Sequence, residues 1–328
     1  MEEYFGVIRF AGLEPIVVVL VALMFLMSVY VLFIRKRSRI VFTQGRDRNL
    51  EKESTTELVE QRNKLRRKAK NMEDSLLYAQ RIQKAMFMSP DTLRTLFPDS
   101  FVFQRPKDIV SGDFYWFKRI NGKVVFAVAD CTGHGVPGAF MSLIGLEFFR
   151  QIVVERKILQ PSLILDEMNV YFDKVFGSLE EISLKDGMDL VFCAYDYVNQ
   201  ELEIAGAFNP VYVVRSNEVI EVKGDRITVG PDYGARRGSF TNHHLKIQKE
   251  DVIYLFSDGF PDQFGGPEGK KFKYRRFRLL LMSIHKLPME EQKRRLEENM
   301  REWMGDRHEQ IDDQMVIGIR PASFASSG

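Results

Sequence analysis

The stretch Ser111 to Gly145, SGDFYWFKRINGKVVFAVADCTGHGVPGAFMSLIG, constrains the fold more than any other, because it sets two aspartates at the ends of two neighbouring β-strands. Between Asp113 and Asp130 lie an aromatic strand, an Asn121-Gly122 pair of the kind that fills a two-residue type I′ turn, and an apolar strand from Val124 to Ala129. Hairpin strands run antiparallel. The start of the first therefore lies beside the end of the second, which puts Asp113 and Asp130 side by side. Two carboxylates that close raise each other's pKa unless a cation lies between them. The cysteines and histidines lack the spacing zinc needs, so the ions expected are oxygen-seeking ones such as Mg²⁺ or Mn²⁺.

A chain of 328 residues, 45% hydrophobic, holds one large domain with appendages. A formal net charge of +2 argues against a general nucleic-acid partner. Cys131 and Cys193 make no disulfide framework, which places the main domain in a reducing compartment.

In chain order, residues 1–14 read as a short extracytoplasmic N-terminus and 15–34 (PIVVVLVALMFLMSVYVLFI) as a transmembrane helix, free of charge and long enough to span a bilayer core. A cleaved signal peptide is the alternative, but the run exceeds the usual apolar core of one and no small-residue cleavage site follows. Arg35-Lys36-Arg37-Ser38-Arg39 follows at once, which predicts a single-pass membrane protein, N-terminus outside and bulk in the cytoplasm. Residues 35–90 form a basic juxtamembrane segment and linker. From Arg35 to Lys70 thirteen Lys and Arg face five Asp and Glu, an excess suited to anionic lipid. Leu58, Leu65, Ala69, Met72, Leu76, Ala79 and Met86 fall on alternating three- and four-residue steps, with Arg62 and Gln83 filling the remaining positions. That stripe predicts a coiled coil and hence a homodimer; the alternative is a long amphipathic helix lying against its own domain. Ser89-Pro90 ends the helix.

From 91 to 320 short strands alternate with turns and paired helices, predicting a layered α+β domain, while the tail 321–328 is expected to be disordered. Two more acidic points stand at strand ends. The apolar run Val252 to Phe256 ends in Ser257-Asp258-Gly259, and Asp312-Asp313 precedes the final strand Met315 to Ile319. Any one of the four is an ordinary turn aspartate by itself. Four at the ends of apolar strands point to a shared site.

The segments GDFYWF, ADCTGHGVPGAFMS, GMDLVFCAYD, AGAFNPVYVVR, LFSDGFPDQFGG and IDDQMVIGI, in this order, resemble the bacterial SpoIIE-like branch of the metal-dependent type 2C serine/threonine phosphatases, over roughly Ala79 to Arg320. The resemblance implies an α-β-β-α sandwich with two Mn²⁺ or Mg²⁺ ions. It carries metal-ligand roles onto Asp113, Asp130, Asp258 and Asp312, with the backbone carbonyl of Cys131 as a further ligand and Asp313 as the alternative to Asp312. It also implies hydrolysis of a phosphoserine or phosphothreonine protein, by analogy an anti-sigma factor antagonist in partner switching. His134 either protonates the departing oxygen or only shapes its glycine loop, and Asp189 either serves a third metal or is a turn carboxylate. Arg105 and Lys107 lie close by for phosphate, with that role left open. The competing reading is a catalytically silent scaffold that binds a partner through the same domain.

Overall fold

Asn121 and Gly122 take positive φ, 50° and 79°, as a type I′ turn requires, and join strand β2 (Phe114–Ile120) to β3 (Lys123–Cys131). The two pair antiparallel with Phe114 opposite Ala129, so the segment entering β2 lies beside the end of β3. The structure, a computed structural model, describes residues 14–176, 187–230 and 238–321, with backbone alone for 14–23, 25 and 39–56.

The chain divides into two units, residues 1–72 and 73–328. Helix α1 (Glu14–Met86) supplies the described part of the first. Within that unit Met24, Leu32 and Phe33 are exposed, as are Leu58, Leu65 and Met72 of the heptad stripe. The proposed span 15–34 is helical, with Glu14 of the expected outer segment 1–14 already in the helix, but most of its N-terminal half has no described side chains, and residues 1–13 of that segment and 322–328 of the expected tail 321–328 lie outside the described residues. Among the described residues the stretch long and apolar enough to cross a membrane is Val136–Glu155, and 56% of it is buried, as in the core helix of a domain.

In the second unit the last turns of α1 correct the heptad reading. Gln83 is buried at 4% exposure and Met86, assigned to the same seam, is 52% exposed. The inward face keeps Leu76 and Gln83 of the stripe but takes Gln80 and Phe87 in place of Ala79 and Met86, and these glutamines bond to the domain's own backbone. Pro90 does more than end a helix. With Ser89 as N-cap it opens a second one, α2 (Pro90–Leu96), where its missing N–H costs nothing.

Among the described residues ten further strands complete two five-stranded antiparallel sheets and a small hairpin. Strand β1 (Ser100–Arg105) belongs to a sheet of order β1-β12-β9-β6-β7, with β6 (Val211–Arg215), β7 (Glu218–Val222), β9 (Val252–Phe256) and β12 (Gln314–Ile319). The other has order β2-β3-β4-β5-β8, with β4 (Met188–Asp196), β5 (Glu201–Ala207) and β8 (His243–Lys246). Helices α3 (Val136–Phe149), extended by a π-helical turn Arg150–Glu155, and α4 (Pro161–Phe176) cover the second sheet; α6 (Tyr274–Ile284) and α7 (Met289–Met304) cover the first. Short α5 (Gly259–Asp262) and the pair β10 (Phe264–Gly265) and β11 (Lys270–Lys271) were not legible as regular elements in the sequence.

The side-chain period of two explains the layers. Along β3, Val125, Ala127 and Ala129 pack under α3 and α4 with Phe149 and Phe172, whereas Val124, Phe126 and Val128 face the other sheet with Val213, Leu255 and Ile317. Along β9, Ile253 and Leu255 join that middle core while Tyr254 and Phe256 pack with Phe277 and Leu296 of the opposite helices. Three apolar cores thus separate four layers, and the expected α-β-β-α sandwich is the observed one.

Candidate metal centre

The same antiparallel logic that joins Asp113 to Asp130 joins the other pair. Val316 of β12 lies opposite Phe256 of β9, so the residues just before β12 stand beside those just after β9 and bring Asp312 to Asp258. The pairs come from different sheets and meet at one end of the sandwich: Asp130 feels Asp113, Asp258 and Asp312. Asp113 is fully buried, whereas Asp130, Asp258 and Asp312 keep an exposed edge. Close backbone approach makes this possible. A Cβ on Gly259 would lie 1.9 Å from the Asp313 carbonyl oxygen, and one on Gly112 would lie 3.0 Å from the Gly133 carbonyl oxygen and 3.4 Å from that of Cys131. Glycine is required at the first position, and the Cys131 carbonyl reaches the same corner as Asp113.

The neighbouring acid Asp313 does something else. Its Oδ1 accepts from the Lys107 N–H at 2.7 Å and its Oδ2 from the Gly112 N–H at 2.6 Å, with the Ser111 hydroxyl 3.2 Å away. It is buried and clamps the segment leading into Asp113. Asp312 accepts from the Asp313 N–H at 2.9 Å, and its charge is felt by Asp113, Asp130 and Asp258. Sequence reasoning missed that division, and it missed Ser257, whose hydroxyl donates to Asp113 Oδ2 at 2.5 Å. Asp189 pairs directly across from Asp130 and accepts from the Thr228 hydroxyl at 3.0 Å. His134 stands on the glycine loop with Nδ1 2.6 Å from Asp108.

Burial raises the pKa of Asp113, Asp130 and Asp312, and the neighbouring acids add to it. Burial, then Asp262 and Asp312, brings Asp258 up to about 6. Among the described residues no three such groups stand as a finished coordination shell; Asp113 and Asp130, and Asp130 and Asp258, are instead within hydrogen-bonding reach of one another. The donor chemistry fits hard divalent cations. Oxygen is the available ligand atom, since burial holds the Cys131 thiol well above its usual pKa and so keeps it from acting as a thiolate.

A pH prediction follows for the metal-free protein. Because the folded-state values lie above the unfolded 3.8, the native state binds more protons, so stability is fully present below about pH 4 and lost as pH rises through about 6 and beyond. Asp258 alone contributes about 3 kcal/mol to that loss. Thermal melts in chelator are expected to fall from pH 5 to pH 8, and Mn²⁺ to reverse the fall. A metal-free melting temperature that rises over this range would contradict the carboxylate cluster.

Four alternating layers, with acidic residues gathered where the two sheets end, define the class of metal-dependent type 2C phosphatase folds. The chain belongs to the SpoIIE family: residues 120–321, more than half its length, match the family described as Stage II sporulation protein E. It superposes on the SiaA-PP2C domain of Pseudomonas aeruginosa with a TM-score of 0.70 and 31% identity, covering 77% of this chain and 98% of that domain. The phosphatase domain of SpoIIE from Bacillus subtilis, with a fragment of its regulatory domain, shares the fold at a TM-score of 0.55 and 16% identity over 68% of this chain and 63% of that one. In sequence the chain is 26% identical over 160 residues to the phosphoserine phosphatase RsbU of Bacillus subtilis (strain 168), covering 47% of this chain and 44% of RsbU. The match spans less than half the length of that relative.

Proposed function

We propose that this protein is a metal-dependent protein serine/threonine phosphatase that hydrolyses phosphoserine or phosphothreonine on a regulatory protein, an anti-sigma factor antagonist in a partner-switching pathway. The observation that carries this reading is the meeting of four acidic strand ends, two from each sheet, at which Asp130 feels the charge of Asp113, Asp258 and Asp312. In this reading Asp113, Asp130, Asp258 and Asp312, with the Cys131 carbonyl, hold two Mn²⁺ or Mg²⁺ ions. When bound, such ions acidify water toward hydroxide and offset charge on phosphoryl oxygens. Asp313 is read as a support, because its two oxygens accept from the Lys107 and Gly112 N–H groups and so clamp the segment before Asp113. Asp189, beside Asp130, is available as an additional carboxylate. Ser257 fixes the Asp113 carboxyl, so the ligand geometry is set before substrate arrives.

The tether is part of the same proposal. The uncharged run 15–34 followed by Arg35-Lys36-Arg37 supports a single-pass anchor in the bacterial cytoplasmic membrane with the catalytic unit inside. Leu58, Leu65 and Met72, each more than 60% exposed, support pairing of two copies through the first unit. The test uses the purified full chain in detergent with a phosphoserine peptide. Phosphate release that requires Mn²⁺ or Mg²⁺ and stops with chelator is the expected result; an inert protein that still binds a phosphoprotein would favour the silent scaffold.

A further inference from the structure

The segment between β1 and β2 holds its one lysine in a defined place. The Lys107 N–H is bonded to Asp313, and four residues later the Ser111 N–H donates to Gln83 Oε1 at 3.1 Å and its carbonyl accepts from Gln83 Nε2 at 2.6 Å. A backbone secured on both sides fixes where the Lys107 side chain begins. Its ammonium nitrogen lies 2.9 Å from His134 Nε2, and His134 Nδ1 lies 2.6 Å from Asp108 Oδ2. An ammonium group only donates, so Nε2 accepts and the imidazole hydrogen sits on Nδ1, donated to Asp108. The row Lys107, His134, Asp108 is therefore ordered from end to end. Gly135 closes it: a Cβ there would approach Asp108 Oδ2 to 3.2 Å, at a φ of 68° that L side chains rarely adopt.

Two further observations say what the row faces. Asp312 feels the positive charge of Lys107, so the row borders the carboxylate cluster on that side. Arg105, the last residue of β1, is turned away, with Nη1 3.7 Å from Met304 Sδ. The lysine spends one hydrogen on His134 and keeps two to give.

We propose that Lys107 is the side chain that grips the phosphoryl group of the substrate, and that His134 and Asp108 are positioning residues that aim it. The inference rests on the phosphatase reading above. Lysine suits the role, as a point charge with several donors that needs no fixed bidentate geometry. In this arrangement His134 has no hydrogen on the nitrogen facing Lys107, so it orients and does not protonate.

The experiment compares the full chain with Lys107→Met, Lys107→Arg, Asp108→Asn and His134→Ala, measuring kcat and KM for a phosphoserine peptide and competitive inhibition by inorganic phosphate, with Mn²⁺ saturating. Losing one charge-assisted contact is expected to raise KM and the phosphate inhibition constant together by roughly 10- to 100-fold in Lys107→Met, with a smaller fall in kcat. Lys107→Arg should recover part of the loss, and Asp108→Asn and His134→Ala should each weaken phosphate by about 3- to 10-fold. A Lys107→Met protein that melts like the parent and binds phosphate within twofold of it overturns the proposal. If Lys107→Met does not fold, unchanged phosphate inhibition in both His134→Ala and Asp108→Asn overturns it equally. Should the parent chain turn over no phosphate ester, the phosphatase reading fails first. The lysine is then judged by melting with Mn²⁺ and inorganic phosphate, which should raise the melting temperature of the parent and not of Lys107→Met.

Discussion

Asp130→Asn and Asp258→Asn are each expected to lower kcat/KM by roughly a thousandfold or more at saturating Mn²⁺, the equivalent of about 4 kcal/mol of transition-state stabilisation. Both substitutions keep volume and shape while removing ligand charge, so the fold should survive. Stability should even move the opposite way in the absence of metal. Asp130 is a buried carboxyl pressed by Asp113, Asp258 and Asp312, and a neutral amide there relieves that repulsion. The two readouts together separate a metal ligand from a structural residue: activity is lost, and the metal-free melting temperature at pH 8 holds or rises. Activity retained in both variants would remove these residues from the site.

Gln83→Leu is expected to destabilise the catalytic unit by about 2 to 6 kcal/mol, because it leaves a buried N–H and a buried carbonyl of Ser111 without partners at about 1–3 kcal/mol each. Leucine nearly matches glutamine in volume, so the effect is that of lost hydrogen bonds and not of a cavity. The Gln83 amide also reaches the Ser142 hydroxyl at 3.1 Å, which ties the helix to α3 as well as to the segment before Asp113. Loosening that segment should weaken Mn²⁺ binding along with stability. Met86→Asp, on the exposed side of the same helix, serves as the control and should change the domain's denaturation midpoint little. A coiled-coil seam predicts the reverse, since leucine at a polar seam position stabilises the pair. Urea denaturation of the two variants decides between these, and a Gln83→Leu protein as stable as the parent would refute the buried-latch geometry.

The glutamine shows why periodicity misleads at a domain boundary. Leu58, Leu65, Met72, Leu76, Ala79 and Met86 keep heptad spacing, and spacing alone extends the seam through Gln83. Yet the face turned to the domain it leads into keeps only Leu76 and Gln83 of that stripe and takes Gln80 and Phe87 in place of Ala79 and Met86. Two of those contacts are hydrogen bonds to backbone at Ile109 and Ser111, about 28 residues away in sequence, and no local pattern encodes them. The pair Asp312-Asp313 poses the same difficulty at smaller scale. Side chains of adjacent residues at a strand entrance point apart, and the sequence offers no sign of which one meets the other carboxylates.

Local order in the sequence determined a good deal. Alternation of apolar residues set the strands, Asn121-Gly122 set the hairpin and its antiparallel sense, and that sense placed Asp113 beside Asp130, all through interactions between residues near in sequence. The tertiary structure decided what depends on distant partners: the approach of Gly259 to Asp313 that brings Asp258 to Asp312, the use of Asp313 as a clamp, the burial of Gln83, and the row from Lys107 through His134 to Asp108. The physical reason is range. Backbone propensity and side-chain period act over a few residues, whereas burial, hydrogen bonding and charge are settled by whatever the packed sheets bring alongside.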